Sequence, residues 1–457
     1  MAAKKKKAAK KKAAKKAPRK KVAKKKVARE KAAKKAPRKK AAKKKVAKKK
    51  AAKKAPRKKT ASKKATGKKA PRKKAARKKA GLKGKRSKAT RKVDDLTLRL
   101  IHDEAQGVHG QILKQRKPDL SFPIRSLGNV SYSQKRGYFE IGKQVKQRTL
   151  TVNTVRNFAQ TLRMMGLSKD LVEANDFATK RDAYYQSKNW EEAKFDDQTE
   201  SDTVMDDIEA MFSMRGISRE QLRFAPDEGY NGAVAGRLTV LDPDRETGRI
   251  ERIDCTRFGS GAYSIPSSVE HLSFETRAKF ILAIETGGVF QRLQSHKFWE
   301  QRNCILVNMA GVPARACRRF IRKLSDDRDL PVYAFVDCDP YGISNIYRTL
   351  KVGSGNAAHL SQFFCVPRAR YLGVTPQDIV DYQLPTHPLQ EVDIKRAKDA
   401  LKNDPFFKAH KPWRQAIEQQ LAMGVRAEQQ SLAMWGLNYV IEEYLPAKLR
   451  STGAFLP

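Results

Sequence analysis

The sequence predicts a multidomain α/β protein. A basic tail without a core leads into a helical module of helix-turn-helix or winged-helix type, and a mostly parallel sheet flanked by helices follows. Three observations carry this reading: positive charge is confined to one end, amphipathic helical segments begin near residue 94, and strand-like and helix-like segments alternate from about residue 276. The boundaries fall at 1–93, 94–274 and 275–457.

The chain has 457 residues and a formal net charge of +52. Residues 1–93 hold 49 Lys and Arg against one acid, Glu30, so the rest, with 50 bases and 46 acids, is close to neutral. A segment of Lys, Ala, Arg and Pro has almost nothing to bury against a backbone entropy of roughly 1–2 kcal/mol per residue, which predicts disorder. Within it Ala-Pro-Arg-Lys recurs at Ala17, Ala36, Ala55 and Ala70, a low-complexity repeat that resembles the C-terminal tail of a linker histone. Such charge density implies tight, sequence-blind and salt-sensitive attachment to DNA, or else a solvated extension or a nuclear-localisation signal.

From Val93 the segment VDDLTLRLIHDEAQGVHGQIL has helical apolar spacing, so folding is expected to begin there. VRNFAQTLRMMGLSKDLVEAN reads as one or two helices broken near Gly166, and FATKRDAYYQSKNWEE as another. Arg181 precedes Tyr185 by four residues, and on a helix the two share a face. A guanidinium there could hold a phosphate while a phenol attacks it. Tandem tyrosines also serve as core or interface packing, so the residues alone do not single out Tyr185. The acid-rich stretch DDQTESDTVMDDIEAMFSMRG reads as a linker into a helix with a solvated acidic face, and NGAVAGRLTVLDPDRETGRIERIDC as a β-hairpin turning around Asp242 to Gly248.

In the last part FILAIE, CILVNM and VYAFVDCD read as strands and VFQRLQSHKFWEQR, ARACRRFIRKLSDD and ISNIYRTL as helices, with QFFCVPRARYLG as a final strand and turn. Glu285 ends the first strand; Asp337 and Asp339 end the third. In an open α/β sheet the crevice lies beyond the carboxyl ends of the strands, and an i, i+2 pair shares one side of an extended segment. A lone Asp-x-Asp is often a loop or cap, but three acids at the ends of two separate strands of one sheet favour a metal site. Their repulsion would be relieved by a hard cation such as Mg²⁺. Gly287, Gly288 and Gly342 fall just after the acids, where a backbone can approach a phosphate.

In order and content these segments resemble the family of DNA topoisomerase VI A subunits and the meiotic double-strand-break transesterase. TKRDAYY is similar to its catalytic segment, ILAIETGGVF and VDCDPYGI to its Toprim metal motifs, MAGVPARACRRF to the segment between them, and RYLGVTP and EEYLPAKL to later landmarks. The resemblance implies a winged-helix (CAP-like) cleavage domain followed by a Toprim domain. It implies Tyr185 as nucleophile with Arg181 beside it, Glu285, Asp337 and Asp339 as Mg²⁺ ligands, and transient double-strand breaks through 5′-phosphotyrosyl links. It further implies a homodimer acting on double-stranded DNA and an ATPase B subunit in an A₂B₂ assembly that relaxes and decatenates DNA. ATP would be used by that partner, since no P-loop is found here. The competing readings are a recombination-initiating transesterase that does not reseal the break, and a DNA-packaging protein; a Toprim primase or nuclease would leave TKRDAYY unused.

Five cysteines without CxxC spacing read as reduced thiols. No apolar run approaches the roughly 20 residues of a membrane helix. Both point to a cytoplasmic, nucleoid-associated protein, or a nuclear one in a eukaryote.

Overall fold

Helix α1 (Lys88–Leu113) opens the first folded part of the computed structural model, which describes residues 88–225, 229–244 and 247–457. Most of the basic tail lies outside the described residues, which all belong to one compact unit. The helix begins five residues before Val93, inside the span assigned to the tail. Lys, Ala and Arg are good helix formers, so a helix anchored by Leu100, Ile101 and Val108 extends upstream through them.

After α1 come β1 (Asp119–Pro123), β2 (Val130–Ser133), β3 (Tyr138–Ile141) and β4 (Val145–Thr149); β1 pairs with β4 and β2 with β3, both antiparallel. Helix α2 (Val155–Ala174) runs unbroken through Gly166. A mid-helix glycine costs about 1 kcal/mol, which burial of Met164, Met165 and Val172 outweighs. Next are β5 (Ala178–Thr179), α3 (Lys180–Ser187) and α4 (Gln198–Ser213), the last capped by Asp197, and then β6 (Phe224–Ala225), parallel to β5. Helix α4 corrects the expected solvated acidic face. Asp207 is buried against Arg125, Lys146 and Arg148, and Glu209 against Arg315.

The second part is built on a six-stranded sheet. Its strands include β7 (Ala233–Gly236), β10 (Tyr263–Ser264), β12 (Ile281–Ile284), β13 (Ile305–Asn308), β14 (Val332–Phe335) and β15 (Ala369–Gly373), in the order β10-β7-β13-β12-β14-β15. The four strands from β13 to β15 are parallel, and β7 joins β13 antiparallel. Thus Ala233–Gly236 belongs to the main sheet and not to the expected hairpin. That hairpin is β8 (Leu238–Pro243) with β9 (Ile250–Asp254), and β11 (Ser273–Thr276) pairs with the other edge of β8. The small residues of β7 fit because its surroundings leave no room for a larger side chain: a Cβ on Gly236 would lie 2.7 Å from the Cys304 carbonyl and from Trp299.

Both faces of the sheet are covered. Ile281, Ala283, Val307 and Ala334 feed one core, while Leu282, Ile284, Leu306 and Phe335 feed the other. This burial on two sides explains the continuous apolar runs. The expected single helix after β12 is two, α5 (Gly287–Ser295) and α6 (Phe298–Arg302), parted at Lys297 in a left-handed conformation. Residues 362–364 of the expected last strand are helical, so β15 begins only at Ala369. Helix α7 (Arg315–Arg328) connects β13 to β14. All five cysteines are free and buried. Among the described residues no helix is long and apolar enough to cross a membrane.

Candidate active site

The chain leaves β12 for β13 on one side and returns to β14 on the other, so the sheet changes direction at β12. A crevice opens at such a point, and Glu285, Asp337 and Asp339 all stand there. The structure brings these three together. Glu285 follows β12 directly, and its Oε2 accepts the Asp337 N–H at 2.9 Å. Oδ1 of Asp337 accepts the Gln429 N–H at 2.8 Å, and Oδ1 of Asp339 accepts that of Gly342. Gly342 is required here, because a Cβ would come within 2.8 Å of the Asp337 carbonyl.

Burial, then repulsion from Asp337, pushes Glu285 up to about 8 despite the Asp337 N–H, with Asp339 and Glu428 adding to the rise. Asp337 is raised to about 6 by burial, with Asp339 and Glu428 contributing and the Gln429 N–H opposing. Asp339 is also raised by burial, and Asp393 adds to this while the Gly342 N–H, Arg426 and Arg396 oppose it. Among the described residues no three acidic, His or Cys side chains already stand as a coordination shell. Each of the three carboxylates spends an oxygen on a backbone amide. The donor set nevertheless fits a hard divalent cation, which would relieve both desolvation and mutual repulsion.

Two nearby side chains escaped the sequence reading. Cys338 and Ala427 form an antiparallel bridge, with N–H to O distances of 2.8 and 3.1 Å. That register sets Glu428 across from Asp337 and Arg426 across from Asp339. The alternation Arg426-Ala427-Glu428 is a two-residue period, but nothing local says which strand it faces.

Tyr185 stands on a separate element. Thr179 and Asp182 form a capping box that starts α3, which packs against α4 and β5. The Tyr185 side chain is 56% exposed, and the Arg181 guanidinium lies 5.9 Å from its ring centroid. Tyr184 differs: its hydroxyl donates to the Asp196 carbonyl at 3.2 Å and Lys188 lies over its ring. Among the described residues no hydrogen bond or ion pair joins Tyr185 or Arg181 to the three carboxylates.

Three family models match the chain in succession: "Type IIB DNA topoisomerase" over residues 156–223, the all-beta domain of the DNA topoisomerase VI alpha chain over 230–278, and the Toprim domain shared by the topoisomerase 6 A chain and Spo11 over 280–449. The chain is 50% identical over 366 residues to the A chain of type 2 DNA topoisomerase 6 from Methanocaldococcus jannaschii, covering 80% of this chain and 98% of that one. It is 35% identical to the protein of the same name from Natronomonas pharaonis, covering 79% and 97%, and 37% identical to that from Halobacterium salinarum, covering 74% and 91%. A Toprim sheet with acids at its switch point, joined to a helical part carrying an exposed tyrosine, defines the class of DNA-cleaving subunits of type IIB topoisomerases. Within that class the chain belongs to the family of topoisomerase 6 A chains and Spo11.

Proposed function

We propose that this chain makes transient double-strand breaks with Tyr185 as nucleophile, as the cleaving component of an A₂B₂ enzyme whose B component hydrolyses ATP. The observation that carries this is the meeting of Glu285, Asp337 and Asp339 at the switch point of the sheet, each raised by burial in a way that calls for a cation.

The Tyr185 oxygen attacks a backbone phosphorus, its proton going to solvent. A Tyr185–phosphorus bond forms as the bond to the 3′ oxygen breaks, and that oxygen leaves as a hydroxyl after taking a proton. The product is a 5′-phosphotyrosyl link, and attack by the 3′ hydroxyl restores the strand. Exposure leaves the Tyr185 hydroxyl open to a phosphate, whereas the Tyr184 hydroxyl is engaged. Arg181 stands where it can hold the same phosphate and offset charge on its oxygens. Glu285, Asp337 and Asp339 would hold Mg²⁺, which when bound supplies positive charge to the phosphate and the leaving oxygen.

Tyr185 lies on α3 and the three carboxylates at the sheet, with no hydrogen bond or ion pair between them among the described residues, which supports a homodimer in which each cut uses Tyr185 of one protomer and the carboxylates of its partner. The helical part acts as a winged-helix module gripping duplex DNA, and the tail of residues 1–93 adds sequence-blind affinity. The protein works in the nucleoid, or in the nucleus of a eukaryote.

Mixing of variant chains tests the shared site. Tyr185→Phe and Asp337→Ala chains, each inactive alone, should regain single-strand nicking when mixed, because one composite site keeps both parts. Absence of nicking in the mixed dimer would place tyrosine and carboxylates in the same chain.

A further inference from the structure

Four carboxylates face one another at the end of the sheet, yet the substrate is a polyanion, so something beside them must attract it. The strip 425–429 provides a candidate. Arg426 stands across from Asp339, and Arg396, on the helix Glu391–Asn403, reaches the same place. Both guanidiniums turn toward the buried carboxylate of Asp393, Arg396 at 3.4 Å and Arg426 at 3.6 Å.

These contacts are long and one-armed. Asp339 lies near the same two guanidiniums, but each guanidinium carries five N–H donors, more than these few contacts use. The two side chains are 28% and 29% exposed, so each can still present N–H donors to a ligand. The ring of Tyr341, two residues after Asp339 and 42% exposed, lies 5.1 Å from the Arg396 guanidinium and orients it.

We propose that Arg396 and Arg426, held by Asp393, bind a non-reacting phosphate of the DNA strand next to the one being cut, with the Tyr341 ring against the adjoining sugar or base. The fork of a guanidinium matches the oxygens of a phosphate, and an aromatic face accepts a nucleoside without reading its identity. This site rests on the topoisomerase reading and adds to it a register. The strand is fixed on the Asp339 side of the carboxylates, which sets which phosphate meets the nucleophile.

The test uses the full chain assembled with its ATPase partner and a set of duplexes in which one phosphate at a time is replaced by an uncharged methylphosphonate. Covalent complexes are trapped with detergent and counted. In the unsubstituted protein, neutralising one particular phosphate other than the scissile one should lower the yield about tenfold, the order of a charge-assisted contact. In Arg396→Gln/Arg426→Gln that same replacement should change the yield less than twofold. Should the double variant prove unfolded in a thermal melt, Arg396→Lys/Arg426→Lys keeps the charge that Asp393 needs but lacks the fork, and should show a clearly reduced penalty. If the variants keep the full phosphate profile, or if only the scissile phosphate matters, the phosphate site is wrong while the topoisomerase reading stands. If the unsubstituted protein forms no covalent complex with any duplex, that reading fails and the phosphate site with it.

Discussion

The backbone amide of Asp337 donates to the carboxylate of Glu285 at 2.9 Å, tying the end of β14 to the end of β12. This contact holds two acids close enough to repel each other, and a divalent cation would be the natural counterweight.

The raised acids make the metal-free protein sensitive to pH. A carboxyl whose folded value lies near 8, against 4.5 in the unfolded chain, stabilises the fold below 4.5 and loses that contribution as pH rises through 8. Mg²⁺ needs the ionised form, so it should bind more tightly, and raise the melting temperature more, at pH 8.5 than at pH 6. Calorimetric scans at several Mg²⁺ concentrations check this, and equal shifts at both pH values would separate the carboxylates from the metal.

Gly342→Ala should disturb the same loop, since the added methyl would press on the Asp337 carbonyl at 2.8 Å and on Val336 at 3.0 Å. We expect a stability loss of about 1–3 kcal/mol together with weaker Mg²⁺ binding, read by denaturant unfolding and by metal titration of the melting temperature. Unchanged values for both would show that the loop has room to spare.

Arg315 of α7 pairs with Glu209 of α4 and with Glu220, joining the helical part to the sheet. Burial alone would raise Glu209, but Arg315 and Arg219 overcome it and hold the group at about 2. Its stabilisation is therefore complete above about 4.5 and lost as pH falls toward 2. Arg315→Met removes the guanidinium shared by two buried acids, leaving Glu209 with Arg219 and Glu220 with the Ser218 hydroxyl, and should cost about 3–5 kcal/mol in equilibrium unfolding at pH 7. A loss below about 1 kcal/mol would mean the pair is dispensable.

Deleting residues 1–87 spares α1 and should weaken duplex binding and flatten its salt dependence, while leaving Mg²⁺-dependent cleavage at saturating DNA within about twofold. Binding isotherms between low and moderate salt give the slope. A slope equal to that of the full chain would assign the tail another task.

The parallel sheet was legible because strands buried on both faces must be apolar throughout, and the acids stand out where those runs stop. The i, i+2 spacing of Asp337 and Asp339 was equally local. Asp207 and Glu209 read as solvent-facing because their partners, Arg148 and Arg315, lie 59 and 106 residues away. The strand Ala233–Gly236 was folded into a hairpin by proximity, though its small residues suit a crowded sheet. Glu428 and Arg426 reach the site through the bridge of Ala427 to Cys338 and the contacts of Gln429 with Asp337 and Phe335, across an intervening fold that no period in the sequence announces.

The most direct measurement incubates the full chain and its ATPase partner with duplex DNA, Mg²⁺ and nucleotide, quenches with detergent, and maps attached protein. The expected result is protein on 5′ ends, abolished by Tyr185→Phe and retained in part by Tyr184→Phe. Attachment that survives Tyr185→Phe and vanishes with Tyr184→Phe, or protein found on 3′ ends, would contradict the assignment of the nucleophile.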